Sequence, residues 1–393
     1  MKYKDHIKRL PAYKPPKLIT GQHADLVKLS SNENPLGPSP RALAALQSAI
    51  GHVHRYPDAG SVALRQALAD HAGLSLEHVI CANGSDELIF LICVAFLEAG
   101  DEVMMAEGTF ISYMLRTLEM GALPLRVPLH NYTHNLAAMA AAITPRTKIV
   151  FICNPNNPTG TSNSADEVAA LLERVPPHTL VVMDEAYYEF VTRPDYPQLL
   201  SELVAGRPNL LLLRTFAKIH GLAGLRLGYA YGAPELIEYL DRARPTFNVN
   251  SLAQVAGIAA LGDTEHIARS RAHADASRAF FMQNLPSIGL EPIPSETNFV
   301  AVPVGDDTAV SNALFARGFS VTPLGMWGLP GLIRISFGTV EQNQGVLAAL
   351  EEERMNGRTG EQMNGRTGEQ MNKRTGEQMN GRTGEQMNKR TER

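Results

Sequence analysis

Thr179-Leu180-Val181-Val182-Met183-Asp184-Glu185-Ala186-Tyr187-Tyr188 is the stretch that decides the fold. Its first five residues are apolar or β-branched with no polar alternation, the pattern of a strand covered on both faces, and an acidic residue comes next where the strand must stop. Similar short runs occupy residues 78–83, 102–106, 124–128, 148–153, 210–214 and 227–231, each separated from the next by a helical pattern or a turn. Strands that alternate with helices in this way predict an α/β fold with a mainly parallel, seven-stranded sheet in a large domain. Ligands of such sheets bind beyond the carboxyl ends of the strands. The chemistry is therefore to be sought in the residues just past the end of each run.

Asn154-Pro155-Asn156-Asn157-Pro158-Thr159-Gly160 succeeds one run, Asp184 ends the next, and Thr215-Phe216-Ala217-Lys218 succeeds a third. A lysine held just past an apolar strand can form an imine with a carbonyl compound. Arg226 lies eight residues beyond it, past Gly221 and Gly224, and places a cation near whatever the lysine binds. An imine-forming amine beside an anion site points to pyridoxal 5'-phosphate. Upstream, Ala82-Asn83-Gly84-Ser85-Asp86-Glu87 joins a strand to an apolar helix. The free N–H groups and partial positive charge of a helix start suit an anion, although the same residues also read as an ordinary N-cap.

In order and separation, the Asn154 to Gly160 turn, the Asp184 to Tyr188 segment and Lys218 resemble fold type I pyridoxal-phosphate-dependent transferases. The stretch from 28 to 352 is similar to histidinol-phosphate aminotransferases, through Ser30-Ser31-Asn32-Glu33-Asn34-Pro35-Leu36-Gly37-Pro38-Ser39-Pro40, Arg55-Tyr56-Pro57-Asp58 and the run from Leu222 to Gly228. That resemblance implies roles. Lys218 would hold the cofactor and then move a proton. Asp184 would keep the pyridine nitrogen protonated, so that the ring acts as an electron sink. Asn157 and Tyr187 would bond the cofactor's phenolate oxygen, and Phe110 would stack on its ring, where tyrosine is more usual. Gly84, Ser85, Asp86, Thr215 and Arg226 would cradle the phosphate, with Tyr56 reaching it from a neighbouring subunit, so that a homodimer shares its active sites. Arg334 and Asn157 would bind the substrate, the arginine pairing with its anionic group.

The resemblance further implies transfer of an amino group between histidinol phosphate and 2-oxoglutarate by a ping-pong route in histidine biosynthesis. Two departures bear on this. Thr322 stands before Pro323 where these enzymes commonly carry a second arginine, and Ala217 lacks a hydroxyl that many of them have before the lysine. An aminotransferase for aromatic or other amino acids, or a threonine-phosphate decarboxylase, on the same scaffold would also fit the motifs. A catalytically silent scaffold is the alternative from outside enzymology, and the intact set of Asn157, Asp184, Tyr187, Lys218 and Arg226 argues against it.

Composition narrows the remaining classes. The chain has 393 residues, 44% of them hydrophobic, and a formal net charge of −4, which disfavours a nucleic-acid surface. No run of about 18 apolar residues predicts a membrane span, and the charged N-terminus leads into no apolar segment of a signal peptide. Cys81, Cys93 and Cys153 have no metal-like spacing and read as reduced core thiols of a cytoplasmic protein. The pattern divides into an N-terminal segment (1–50) expected to pack with a smaller α+β domain (246–354), the large cofactor-binding domain (51–245), and a tail (355–393). In the tail, Met355, Met363, Met371, Met379 and Met387 open tandem octads. At about 100° per residue an eight-residue period drifts by roughly 80° per copy, so no helical face forms, and low hydrophobicity completes an expectation of disorder.

Overall fold

A computed structural model describes residues 1–10 and 26–355. The octad tail beyond Met355, with its expected disorder, lies outside the described residues. A short helix α1 (Asp5–Arg9) and a two-residue strand β1 (Val27–Lys28) come first, then α2 (Pro40–Ala49) and α3 (Val62–Ala72). The large sheet is entered at β2 (Val79–Ala82), which leads into α4 (Ser85–Phe96), β3 (Glu102–Ala106), α5 (Ile111–Glu119) and β4 (Leu123–Val127). After α6 (Leu136–Ala141) the chain runs through β5 (Thr147–Cys153), α7 (Ala165–Arg174), β6 (Leu180–Asp184), α8 (Leu200–Val204), β7 (Leu210–Thr215) and β8 (Gly228–Gly232).

These strands form one seven-stranded sheet in the order β2-β8-β7-β6-β5-β3-β4. All pairs are parallel except those made by β8, which runs antiparallel to both β7 and β2. Every residue of β6 is buried, as its unbroken apolar run requires, and successive side chains enter opposite cores. Val181 and Met183 pack with α3, α6 and α7 on one face. Leu180 and Val182 pack with α4, α5 and α9 (Pro234–Ala243) on the other.

Beyond α9 come α10 (Ser251–Leu261), the 21-residue α11 (Thr264–Asn284), β9 (Phe299–Pro303), α12 (Asp307–Ala316), the short strands β10 (Phe319–Ser320) and β11 (Thr322–Pro323), and β12 (Leu332–Ser336). Residues 340–355 form a last helix, α13. A three-stranded antiparallel sheet β11-β12-β9 carries a separate core in which Phe281, Phe299, Ile335 and Leu350 meet Leu29 from the N-terminal segment. β1 pairs in parallel with β10, and the Leu29 carbonyl accepts from the Ser336 N–H, so residues 27–29 pack on this smaller layer.

Helices on either side of positions 50 and 246 contribute to one core. Ala42 of α2 and Ala253, Ala256 and Ala260 of α10 belong to the large sheet's core. Alanines on both helices allow close approach, and Gly257 of α10 sits where a Cβ would be 2.6 Å from Leu227. α1 lies against α5, also on the large layer.

Candidate functional site

Three adjacent parallel strands end together. In register, Cys153 of β5 faces Asp184 of β6, and Asp184 faces Leu213 of β7, so the loop carrying Asn157 lies on one side of Asp184 and the loop carrying Lys218 on the other. Because β8 is antiparallel, its first residue, Gly228, lies beside both Thr215 at the end of β7 and Ala82 at the end of β2. That brings Arg226 and the start of α4 to the same edge. The cavity there is lined by Ser85, Asp86, Phe110, Asn157 and Asp184, and also by Tyr187, Thr215, Lys218 and Arg226.

Asp184 is buried, accepts a hydrogen bond from the Tyr113 hydroxyl at 2.6 Å and another from the Ala186 N–H at 3.2 Å. Burial raises its pKa, and the Tyr113 bond, the Ala186 bond and the Lys218 charge work against that rise. The Lys218 amine donates to the Ser31 carbonyl at 3.1 Å. Loss of water pushes its pKa down to about 7, and the charges of Arg334 and Arg226 act in the same direction, against Glu33 and Asp184. A substantial fraction of this amine is therefore neutral and nucleophilic at neutral pH.

Two of the predicted groups have their acceptor function occupied, which directs their donors. Asn157 accepts a 2.5 Å bond from Arg334 through Oδ1, leaving its NH2 to donate. Tyr187 accepts from Asn32 Nδ2 at 2.8 Å, and Asn32 is itself fixed by Ser336 at 2.7 Å, so the phenol proton of Tyr187 is left for another acceptor. Burial raises the Tyr187 pKa, which keeps that proton in place.

The α4 end has the character of an anion cradle. Gly84 precedes the helix with φ +87°, and a Cβ there would lie 2.5 Å from Arg226 Nη2, so only glycine lets the guanidinium approach the helix start. The first N–H groups of the helix have no intrahelical acceptors. Arg226 bonds the Ala223 carbonyl at 3.3 Å and makes no ion pair among the described residues. The Asp86 carboxylate is already neutralised by Arg116 at 2.6 Å and bonded by Ser112. Thr215 accepts from the Ala217 N–H at 3.0 Å and lies 3.3 Å from the Leu227 carbonyl, so its hydroxyl is largely engaged with backbone.

Arg334 is buried, donates to the Ser30 carbonyl at 2.6 Å and to Thr322 Oγ1 at 3.2 Å, and lies 5.4 Å from the ring centres of both Phe299 and Trp327. Its partners among the described residues are neutral, and burial pushes its pKa down only to about 10, so it stays charged. A buried, unpaired guanidinium is costly unless an anion joins it. Phe110 meets Tyr113 edge-on at 5.6 Å and Trp327 at 6.2 Å. Tyr56 is the one predicted residue found elsewhere. It is 83% exposed, stacks on Phe247 at 4.7 Å, and borders a different surface depression.

Sequence reasoning assigned no part to Tyr113, Asn32, Ser30 or Trp327. Asn32 and Ser30 lie within the Ser30 to Pro40 segment, but their contacts are made with residues some 155 to 304 positions away. Tyr113 and Trp327 carried no signal in any motif.

An amine, a buried carboxylate and an anion cradle around one cavity, walled by Phe110, define a site for an aromatic aldehyde that carries a phosphate. Pyridoxal phosphate fits this donor set: Lys218 could answer its aldehyde, Asp184 its ring nitrogen, and Arg226 with the α4 N-terminus its phosphate. The model of the class I and II aminotransferases matches residues 24–350, and the chain belongs to that family. Among its relatives, the histidinol-phosphate aminotransferase of Moorella thermoacetica is 44% identical over 84% of this chain and 85% of its own length. Histidinol-phosphate aminotransferase 2 of Ralstonia nicotianae is 46% identical over 84% and 88%. The crystal structure of histidinol-phosphate aminotransferase from Sinorhizobium meliloti, in complex with pyridoxal-5'-phosphate, superposes with a TM-score of 0.82 at 30% identity, covering 90% of this chain and 98% of that one. A Thermus thermophilus aspartate aminotransferase double mutant shares the fold, with a TM-score of 0.78 at 23% identity over 90% of this chain and 99% of that one.

Proposed function

We propose that this chain is a pyridoxal-phosphate-dependent aminotransferase that moves an amino group between histidinol phosphate and 2-oxoglutarate. The observation that carries the substrate reading is Arg334, a buried guanidinium without an acidic partner, in a chain whose relatives carry that name. When bound, the cofactor supplies an electron sink for the substrate's α-carbon. Lys218 would hold it, then take and return the substrate proton as a neutral amine. Asp184 would hold the proton on the ring nitrogen. Asn157 and Tyr187, with donors to spare, would bond the ring oxygen, Phe110 would cover one ring face, and Gly84, Ser85, Asp86, Thr215 and Arg226 would hold the phosphate. Arg334 would orient the substrate's anionic group.

A second reading, transamination of aromatic amino acids, draws on Thr322. It stands beside Arg334 where a second cation would complete a site for a dianion, and one guanidinium matches a carboxylate. We further read the functional unit as a homodimer, because the exposed Tyr56 would then meet the partner's cofactor phosphate. Three unpaired cysteines are in keeping with a reducing, cytoplasmic setting. No helix among the described residues is long and apolar enough to cross a membrane.

The test is product identification with purified, cofactor-loaded protein. Histidinol phosphate and 2-oxoglutarate should yield glutamate and the corresponding phosphorylated ketone, with phenylalanine and tyrosine as slower donors. Failure of histidinol phosphate to react where aromatic amino acids do would replace the first reading by the second.

A further inference from the structure

Tyr113 is fully buried on α5, its ring stacked on Phe151 of β5 at 4.5 Å and 5°, its edge met by Phe110. Packing of this kind fixes the direction of the hydroxyl, which donates to Asp184 Oδ2 at 2.6 Å. Among the described residues, the other donor to this carboxylate is the Ala186 N–H, on Oδ1 at 3.2 Å. The stronger of the two bonds thus comes from a residue 71 positions away on another element. We infer that Tyr113 is a positioning residue for the proposed transamination: it keeps Asp184 an ionised carboxylate aimed into the cavity, and so sets how firmly the cofactor's ring nitrogen holds its proton.

Two bases compete here for one proton. A buried carboxylate is a strong base because its charge is poorly solvated. Opposite a ring nitrogen it would tend to take the proton for itself and leave the ring neutral. An O–H donor bonded to the carboxylate stabilises the charged form and returns the proton to nitrogen. Tyr113 can do this at any working pH, because burial and the adjacent Asp184 charge hold its own pKa well above the usual phenol range. The hydroxyl never becomes a competing anion.

The inference rests on Asp184 facing the ring nitrogen, and the experiment separates the two claims. Holoenzyme is reconstituted with pyridoxal phosphate carrying 15N in the ring, and the 15N chemical shift is read alongside kcat and KM. Tyr113→Phe keeps the ring stack and removes only the hydroxyl. It should move the 15N signal towards that of neutral pyridine and lower kcat about tenfold, as expected for losing one bond to a charged group, with KM almost unchanged. Site-specific replacement of Tyr113 by a fluorotyrosine, a stronger donor, should move the signal the opposite way. Tyr231→Phe removes an equally buried hydroxyl that bonds the distant Leu68 carbonyl, and should leave the signal alone. If Asp184→Asn shifts the 15N signal while both changes at Tyr113 leave it and kcat at wild-type values, the role of Tyr113 is refuted. If Asp184→Asn also leaves it unmoved, the placement of Asp184 opposite the nitrogen is what fails.

Discussion

Burial lowers the Lys218 pKa to about 7, and if Lys218 holds the cofactor as proposed, this sets the pH dependence of its capture. Only the unprotonated amine attacks an aldehyde. With its pKa pushed down to about 7 by burial, the attacking form is lost below that pH and complete above it. Uptake of pyridoxal phosphate by the cofactor-free protein should therefore rise from about pH 6 to about pH 8 and then level off, whereas an ordinary lysine would keep accelerating towards about 10.4. Stopped-flow absorbance measures the rate, and borohydride reduction with peptide mapping should find the label on Lys218. A rate still climbing at pH 9, or a label on another lysine, would refute this. At the substrate end, Thr322→Arg should shift preference towards phosphorylated donors by roughly tenfold or more in kcat/KM, since a bond between charged groups is worth about 1.5–3 kcal/mol. Trp327, the chain's single tryptophan and 5.4 Å from Arg334, reports the same event, because anion binding there should alter its fluorescence. An unchanged preference would mean that the second phosphate charge is met by a group other than residue 322.

Individual elements are held in place by contacts with little slack, and two substitutions expose this. β8 touches the start of α4 through Gly228, where a Cβ would fall 2.4 Å from the Ser85 nitrogen and 2.6 Å from the Gly84 carbonyl carbon. These are backbone atoms and cannot rotate away. Gly228→Ala should push α4 off the sheet edge, lowering both the melting temperature and phosphate-dependent cofactor affinity, by about 1–3 kcal/mol in stability as for other overpacked sites. Normal affinity in a well-folded variant would disprove the coupling between this strand and the anion cradle. Glu185, the residue after β6, pairs with Arg214 of β7 at 2.8 Å, both buried. Arg214→Met strands an acid in the core and should cost about 3–5 kcal/mol. The sign of its pH dependence comes from burial, which already raises the Glu185 pKa. In the variant, the unfolded chain loses this proton near pH 4.3 while the folded one retains it, so the deficit should grow as pH rises above that point. Denaturant melts at pH 5 and pH 8 would show it; a deficit that shrinks with pH contradicts the account.

For the molecule as a whole, the proposed homodimer is tested through Tyr56. It stands 83% exposed on a surface with Phe247, outside the Lys218 cavity of its own chain. Mixing Tyr56→Phe and Lys218→Ala chains should restore part of the activity through hybrid dimers that hold one intact site. Absence of restoration despite proven subunit exchange would refute the proposal that Tyr56 serves a neighbouring chain's site. The whole-molecule view also separates what local sequence contains from what it does not. Unbroken apolar runs specified the buried central strands such as β5, β6 and β7, because a strand covered on both faces has no polar side to show, whereas the edge strand β4, with Arg126, is largely exposed or half-buried. The residues at and just past their ends, Asn157, Asp184 and Lys218, were legible because a parallel sheet brings the ends of β5, β6 and β7 side by side. Tertiary structure alone decided that α2 and α10 complete the large core, that Tyr113 holds Asp184, that Asn32 turns the Tyr187 hydroxyl, and that Arg334 meets Asn157 across 177 residues of chain. Those contacts depend on how crossovers fold whole elements over one another, and periodicity along a chain encodes which face of an element is apolar but not which distant side chain will meet it.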